Sequence, residues 1–240
     1  MSPWRYNRKP KRKIGFDMIV TPAQTTSSSA LSTEGARGPK ADGHGFYTTE
    51  SLDLAREWAC GDGRDGYANE YELDLKGLRV LNLNGEGFCI LNWLAVLAML
   101  RTHWQRGSIS EEAKANLQQH FSVDLEPFDI VIGYRANDSY FTFAQDFVAG
   151  AISVSKLSEA MRYGRLGEQV VLRSRRAFDH IRFVGAEPAE AETYYTERVE
   201  RDRDARRAYR ALRHPTDSMG EIYMLDIMRE GIVNGDPRLR

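Results

Sequence analysis

Polar residues interrupt two apolar strand patterns in this sequence. One of these patterns is the run Glu168-Gln-Val-Val-Leu172, which begins with two polar residues. Side chains alternate between the two faces of a strand, so Glu168, Val170 and Leu172 share one face and Gln169 lies on the other. We expect the first face to be core and Gln169 to face a cleft. Its amide would orient a bound hydroxyl, but only a carboxylate would also stabilise a developing positive charge.

The second polar set lies in the stretch Phe128-Asp-Ile-Val-Ile-Gly-Tyr-Arg-Ala-Asn-Asp-Ser-Tyr140. Asp129 opens its apolar pattern, and Asn137 and Asp138 follow it. Two interpretations fit the pair at 137 and 138. They form an Asx turn or cap the next helix, or they line the cleft, where Asp138 is the carboxylate that Gln169 does not supply.

A third segment, Gly43-His-Gly-Phe-Tyr-Thr-Thr49, places an aromatic residue between glycines and threonines. Glycine lets a backbone approach a ligand closely, and Tyr47 offers a flat face for stacking. Thr48 and Thr49 are its polar neighbours. The alternative is that Tyr47 is a core aromatic residue.

The elements that position these residues are read from hydrophobic periodicity and turn residues. Strand patterns occur at residues 14–20, 45–48, 71–75, 78–83, 129–134, 168–173 and 181–184, and helical patterns at 51–60, 90–104, 110–120, 140–149 and 153–161. Ser51 is a good N-cap for the first helix. Because strands and helices do not alternate regularly, the sequence predicts an α+β fold with a mostly antiparallel sheet.

Three segments are predicted along the chain: a basic arm at residues 1–13, one domain at 14–185, and a helical extension at 186–240. The extension contains a charged helix at 193–212 and an amphipathic segment after Pro215. Its charged helix is either a solvated surface or a site for a protein partner. The basic arm is either a solvated tail or a contact for nucleic acid.

Composition excludes several classes of function. The net charge of the 240 residues is −1, which predicts no general attraction to nucleic acid or to anionic membranes. No apolar run reaches the ~20 residues that span a bilayer, so we expect no membrane association. Neither the five histidines nor Cys60 and Cys89 have metal-ligand spacing, so we expect no metal site and reduced thiols in the cytoplasm.

Taken together with Ala55-Arg-Glu-Trp-Ala59, these motifs resemble a mainly bacterial domain family of unassigned function that is grouped with the ADP-ribosyltransferase fold. The resemblance extends from about residue 43 to residue 183. It implies a split antiparallel β-sheet with surrounding helices. It also implies NAD as the substrate that supplies ADP-ribose.

The resemblance also assigns roles to individual residues. Tyr47, with Thr48 beside it, would hold the nicotinamide half of NAD, and Gln169 would occupy the position of the residue that contacts the adjoining ribose. Asn137 and Asp138 match the most distinctive motif of the family and would line the cleft.

Relatives of this fold carry a His or Arg followed by a small residue on the first strand, where they contact the adenosine ribose and the nicotinamide amide. When Tyr47 is aligned, Asp17 falls at the position of that His. Arg12 or Gly15 would take the position after a shift of register. The first strand is therefore where this chain departs most from the pattern.

The function implied by the resemblance is cleavage of the nicotinamide–ribosyl bond and transfer of ADP-ribose to a macromolecule, either protein or nucleic acid. Similar proteins occur as toxins in toxin–antitoxin or phage-defence loci, which implies an antitoxin or another protein partner for the C-terminal helices. The alternative is a catalytically degenerate member that acts as a protein-binding module.

Overall fold

The computed structural model describes residues 12–17, 45–100, 108–135, 138–163, 168–213 and 220–239. These residues form seven strands in one sheet and eight α-helices. The strands are β1 (Arg12–Asp17), β2 (Phe46–Thr49), β3 (Gly66–Leu73), β4 (Val80–Asn82), β5 (Ile130–Tyr134), β6 (Glu168–Leu172) and β7 (Ile181–Ala189). The helices are α1 (Leu52–Ala59), α2 (Ile90–Leu100), α3 (Ser108–Phe121), α4 (Asp138–Val148), α5 (Val154–Ala160), α6 (Arg175–Asp179), α7 (Ala191–Leu212) and α8 (Met224–Glu230).

The sheet has the strand order β4-β5-β6-β2-β1-β3-β7. Every neighbouring pair is antiparallel except β4 and β5, which run parallel. The predicted mixture of helices and strands in a mostly antiparallel sheet is confirmed, with one parallel pair at the β4 edge. A parallel pair needs a long crossover, and α2 and α3 provide it between β4 and β5.

One face of the sheet is filled by apolar side chains, and we call it the apolar face. Its buried members on the strands are Tyr71, Leu73, Ile130, Ile132, Val170 and Leu172. Ala177 of α6 covers them. This confirms the prediction that Val170 and Leu172 belong to a core.

The opposite face carries Gln169, and we call it the Gln169 face. Helix α1 packs over β1, β2 and β3 on this side. Gly66 makes that approach possible, because a Cβ atom there would lie 2.0 Å from the carbonyl oxygen of Ala59. The predicted N-cap is confirmed, since the Ser51 side chain accepts a hydrogen bond from the backbone N–H of Leu54.

The largest core lies among α2, α3, α4 and α5. Every residue of α2 from Ile90 to Ala98 is buried, as its apolar sequence predicts. Its one polar residue, Asn92, is fully buried, and both polar atoms of its side chain form hydrogen bonds. The Asn92 Oδ1 accepts from the Cys89 N–H at 2.8 Å, and its Nδ2 donates to the Phe121 carbonyl at 3.0 Å.

The C-terminal helices pack onto this same core. Tyr209 of α7 is buried, stacks on Phe143 with ring centroids 4.0 Å apart, and donates a hydrogen bond to Asp146 at 2.6 Å. Ile227 of α8 and Ile232 are buried in the same cluster. Among the described residues, no helix is long and apolar enough to cross a membrane.

Two strands extend five residues beyond their predicted bounds. β3 begins at Gly66, five residues before the predicted start, and β7 continues to Ala189, five residues past the predicted end. The two strands pair with each other along these extra residues. Their sequences there are polar and include glycine and proline, so the apolar pattern used for prediction is missing.

Candidate functional site

A row of residues crosses the centre of the Gln169 face. Gln169 of β6 pairs with Gly133 of β5 on one side and with Thr49 of β2 on the other, and Thr49 pairs in turn with Gly15 of β1. Directly paired residues of antiparallel strands point to the same face. Gln169 and Thr49 are therefore neighbours, with a glycine at each end of the row.

The two side chains of this row are buried: Gln169 is 8% exposed and Thr49 is 1% exposed. Buried polar groups are retained where they have hydrogen-bonding partners or a function, because desolvation makes them costly. A Cβ at Gly133 would lie 3.3 Å from the Trp93 ring, so this glycine lets an indole close one end of the row. The row is a sheltered polar strip between apolar neighbours.

Tyr47 belongs to the same face. It pairs with Val171 and lies two residues before Thr49 in β2, so the strand alternation places both on the Gln169 face. The structure thus places Tyr47 and Gln169 on the same face of two paired strands. Tyr47 is also buried.

Thr48 lies on the opposite face from Tyr47. It is completely buried, and its hydroxyl donates a hydrogen bond to the Val170 carbonyl at 2.8 Å. That bond joins β2 to β6 within the sheet. Of the two threonines it is Thr49, and not Thr48, that shares a face with Gln169.

Glu168 starts β6 and pairs with Tyr134. The Asn84 side-chain amide donates a hydrogen bond to its carboxylate at 3.1 Å. Glu168 is therefore next to Gln169 in sequence but is held by the loop after β4.

Asp129 lies at the far end of β5 from the row. It is buried, and its carboxylate accepts hydrogen bonds from the Arg79 backbone N–H at 2.8 Å and the Ser174 hydroxyl at 2.6 Å. These two donors hold the pKa of Asp129 below its usual value. Its carboxylate ties the starts of β4, β5 and α6 together, which is a structural role.

The remaining predicted residues are described less completely. Gly15 lies in β1, in register with both Thr49 and Glu70, and Asp17 is in register with Ala68. Asp138 is the first residue of α4, a few residues beyond β5. Asn137 lies outside the described residues.

Two residues near the row had no role in the sequence analysis. Arg135 directly follows β5, two residues beyond Gly133, and its guanidinium lies over the ring of Trp58 in α1. Cations are attracted to the face of an indole, and the contact holds the guanidinium plane over the ring. Sequence could have flagged Arg135, because it lies inside the motif that carries Asn137 and Asp138.

Helix α1, which carries Trp58, packs against helix α7. The carboxylate of Glu57, which is 1% exposed, forms an ion pair with Arg201 of α7. Desolvation makes a buried carboxylate costly, so this pair fixes where α7 lies against α1. Arg56 is similarly engaged with Glu187 of β7.

A cavity of about 700 Å³ opens beside the N-terminal end of β6. Its wall includes Asn84 and Tyr134, the two residues that contact or pair with Glu168, together with Phe88, Ser158 and Arg162. This volume is in the range of small-molecule sites, which is roughly 300–1,000 Å³. Among the described residues, no group of three or more His, Cys, Asp or Glu side chains is arranged to hold a metal ion.

Comparison with known protein families matches the central part of the chain to a family model. The model of a family described as a protein of unknown function, DUF3990, matches residues 33–183, which is more than half of the 240-residue chain. The matched segment contains β2 to β6 and ends within β7. No curated protein and no solved structure matches the chain.

Proposed function

We propose that this chain, which belongs to the DUF3990 family, is an NAD-dependent ADP-ribosyltransferase that modifies a macromolecule. The observation that carries the proposal is the buried polar row on the Gln169 face. Gln169, Thr49 and Tyr47 lie together there on two paired strands, with a glycine at each end of the row. An amide and a hydroxyl beside a flat ring are the groups needed to hold a ribose next to a planar base.

The finer fold assignment, an ADP-ribosyltransferase-like split sheet, is part of this proposal. Its support is the narrow joint in the middle of the sheet, where the register between β1 and β2 contains the single pair Gly15 and Thr49. On one side lie β4, β5, β6 and β2, and on the other lie β1, β3 and β7. The polar row crosses that joint.

In the proposed reaction the bond between nicotinamide nitrogen and ribose C1′ breaks. Nicotinamide leaves with the bonding electron pair, and positive charge develops on the ribosyl ring. A lone pair of the acceptor forms the new bond to C1′, and the acceptor proton passes to a carboxylate. Gln169 orients the ribose hydroxyls, Tyr47 stacks on the nicotinamide, and Asp138 at the start of α4 is the carboxylate that we assign to this proton.

The test is calorimetric binding of NAD and release of nicotinamide by the purified protein. We expect Tyr47→Ala to weaken NAD binding and Gln169→Ala and Asp138→Ala to reduce nicotinamide release. Glu168→Gln is the matched control. The Glu168 side chain is next to Gln169 in sequence, but it lies on the other face of β6 and contacts Asn84. No NAD binding at millimolar concentration would overturn the proposal.

A second variant makes the test more demanding. Gln169→Glu adds a carboxylate at the centre of the row, where it would stabilise positive charge on the ribosyl ring. We expect it to raise the rate of nicotinamide release above that of the parent protein. A rate unchanged by Gln169→Glu, with NAD binding intact, would show that Gln169 does not face the reacting ribose.

The cellular proposal is that the protein acts as a toxin or phage-defence effector, restrained by an antitoxin or another protein partner. Expression in a bacterial host should then slow growth, and Tyr47→Ala, Asp138→Ala or Gln169→Ala should relieve the effect. Equal toxicity of the parent and all three variants would mean that the cleft is not responsible.

The second candidate function is binding of a protein partner without catalysis. The outer surface of α7 favours it, because this surface carries alternating exposed charges such as Arg203, Asp204 and Arg207. Capture of a defined antitoxin that is lost after charge reversal at these three positions would support the candidate. Capture that survives the reversal would contradict it.

A further inference from the structure

The cavity of about 700 Å³ beside β6 is built by two parts of the chain, and we call it the β6 cavity. Asn84, in the loop before α2, and Arg162, just after α5, line it from the matched family segment. Glu221 lines it from beyond that segment. The backbone N–H of Val154 donates a hydrogen bond to the Ile222 carbonyl at 2.8 Å, which holds the two parts together.

Arg162 supplies the β6 cavity with a positive charge. It is exposed, and within the part of the chain that the structure describes its guanidinium forms no hydrogen bond or ion pair. The carboxylates of Glu159 and Glu221 line the same cavity, but neither of these two pairs with Arg162. Arg238, which also lines the cavity, is by contrast matched by two carboxylates. Arg162 is therefore the group to which an anionic part of a ligand would bind.

The two carboxylates of the cavity are oriented by hydroxyl groups. The Tyr163 hydroxyl donates to Glu159 at 2.7 Å, and the Ser155 hydroxyl donates to Glu221. The hydroxyls of Ser153 and Ser155 hold the pKa of Glu221 below its usual value, so it is ionised at neutral pH. A carboxylate has about four acceptor positions, so a bound hydroxyl leaves room for an N–H donor of a ligand.

Asn84 adds an acceptor to this set. Its Nδ2 donates to the Glu168 carboxylate at 3.1 Å, which fixes the orientation of the amide. Its Oδ1 is buried and accepts no hydrogen bond from any residue that the structure describes. A buried acceptor without a donor is costly. A ligand that brings an N–H group to this side of the cavity would satisfy it.

The rest of the lining includes several apolar side chains. Phe88, Ile90 and Val154 come from the family segment, and Leu239 comes from the C-terminal segment. Small-molecule sites commonly combine such an apolar surface with a few polar groups that orient the ligand. The β6 cavity thus offers one cation, two anions, an amide acceptor and a surface for a hydrocarbon group.

We propose that the β6 cavity binds a free α-amino acid with an apolar side chain. The guanidinium of Arg162 pairs with the carboxylate of the ligand, because its planar fork matches two oxygens. The ammonium of the ligand donates to Asn84 Oδ1 and faces the carboxylates of Glu159 and Glu221. The apolar side chain packs on Phe88 and its neighbours. The inference goes beyond the proposed function and does not require NAD to bind.

The first test removes one charge of the ligand at a time. Calorimetry measures the affinity of the full-length protein for phenylalanine, for 3-phenylpropionate, which lacks the ammonium, and for phenethylamine, which lacks the carboxylate. A charge-assisted hydrogen bond corresponds to about 10- to 100-fold in affinity, so each analogue should bind more weakly by that factor. Glycine should also bind more weakly than phenylalanine, because it has no ring to pack. No binding of phenylalanine at millimolar concentration would overturn the proposal, and so would an analogue or glycine that binds equally well.

The second test removes the matching charge of the protein. Arg162→Gln should weaken phenylalanine by about 10- to 100-fold and leave phenethylamine unchanged. The double variant Glu159→Gln, Glu221→Gln should weaken phenylalanine and leave 3-phenylpropionate unchanged. Arg210→Gln is the matched control, since this exposed arginine of α7 is not part of the lining, and it should change no affinity. Circular dichroism confirms the fold of each variant.

The outcomes with Arg162→Gln decide the case, because an exposed side chain without partners can be replaced without loss of the fold. Unchanged affinity for phenylalanine in this variant would overturn the proposal. Equal losses for phenylalanine and phenethylamine would overturn it as well, since Arg162 would then shape the cavity and not bind a carboxylate. Failure of NAD to bind would leave this inference standing, because Tyr47 and Gln169 take no part in it.

Discussion

The two faces of the central sheet are built from different residues. On the apolar face, aromatic side chains contact one another across strands: Tyr71 meets Phe46 at 5.8 Å and Phe183 at 5.4 Å between ring centroids. On the Gln169 face, the corresponding row consists of an amide, a hydroxyl and two glycines. The apolar face is thus filled by packed rings, whereas the centre of the Gln169 face keeps polar groups and glycines.

The largest expected effect comes from removing an aromatic ring on the apolar face. Tyr71→Ala should lower the free energy of unfolding by about 3–5 kcal/mol, because the fully buried ring leaves a cavity. Urea denaturation followed by circular dichroism measures the change. Tyr67→Ala is the control, since Tyr67 lies in the same strand but is 44% exposed and should change stability by much less. Similar losses in the two variants would contradict the comparison.

The buried ion pair behind the Gln169 face should have the next largest effect. Glu57→Ala leaves Arg201 without its carboxylate and should lower the free energy of unfolding by about 3 kcal/mol. Replacing both residues by leucine should recover most of this loss, because no charge is then buried. A matched surface pair, Asp204 and Arg207 at 3.1 Å, should contribute under about 1 kcal/mol when Asp204 is removed. Urea denaturation of the three variants and the parent protein checks these values.

The buried carboxylate of Asp129, at the other end of the Gln169 face, should make the stability of the protein depend on pH. Its folded-state pKa is lowered by the Arg79 N–H and the Ser174 hydroxyl, so the ionised form stabilises the fold. That stability is present above the unfolded pKa of about 3.9 and is lost as the pH falls through the lower folded pKa. We expect Asp129→Asn to cost about 1–2 kcal/mol at pH 7 and to flatten the decline in acid. Urea midpoints between pH 2 and pH 7 measure this, and a decline of the same steepness in both proteins would exclude Asp129 as its cause.

The smallest effect is expected from replacing either of two adjacent threonines, Thr48 and Thr49. Thr48→Val removes the buried hydrogen bond to the Val170 carbonyl and should cost about 1 kcal/mol of stability without changing NAD affinity. Thr49→Val alters the row itself and should weaken NAD binding more than it lowers stability. Thermal unfolding measures the stability of both variants, and calorimetry measures their affinity for NAD. The reverse pattern would assign Thr48 to the ligand.

Sequence alone predicted those features that depend on periodicity and local capping. The separation of Gln169 from Val170 and Leu172 follows from strand alternation, and the cap at Ser51 follows from its position before an amphipathic helix. Both predictions are confirmed because they involve only neighbouring residues. The roles of Tyr47, Gln169 and Asp138 in chemistry stay predictions.

The features that sequence did not predict depend on contacts between distant segments. Alternation alone did not decide whether Thr48 or Thr49 joins Gln169, because the register between β2 and β6 sets this. The contact of Arg135 with Trp58 likewise joins residues on separate elements. Gly185 and Pro188 suggested the end of a strand, yet β7 continues through both. β7 is the last strand of the sheet, and a proline is tolerated at an edge because its missing N–H is not needed for pairing.

The matched family segment ends at residue 183, the third residue of the nine-residue strand β7. A recombinant fragment cut there would leave most of β3 unpaired on the side away from β1 and expose an unprotected strand edge, which is a template for aggregation. The same cut would remove the counter-ion of Glu57 and the tyrosine stacked on Phe143. The boundary of the shared sequence is thus not a boundary of cooperative folding, and fragments for biochemical work should extend through α7.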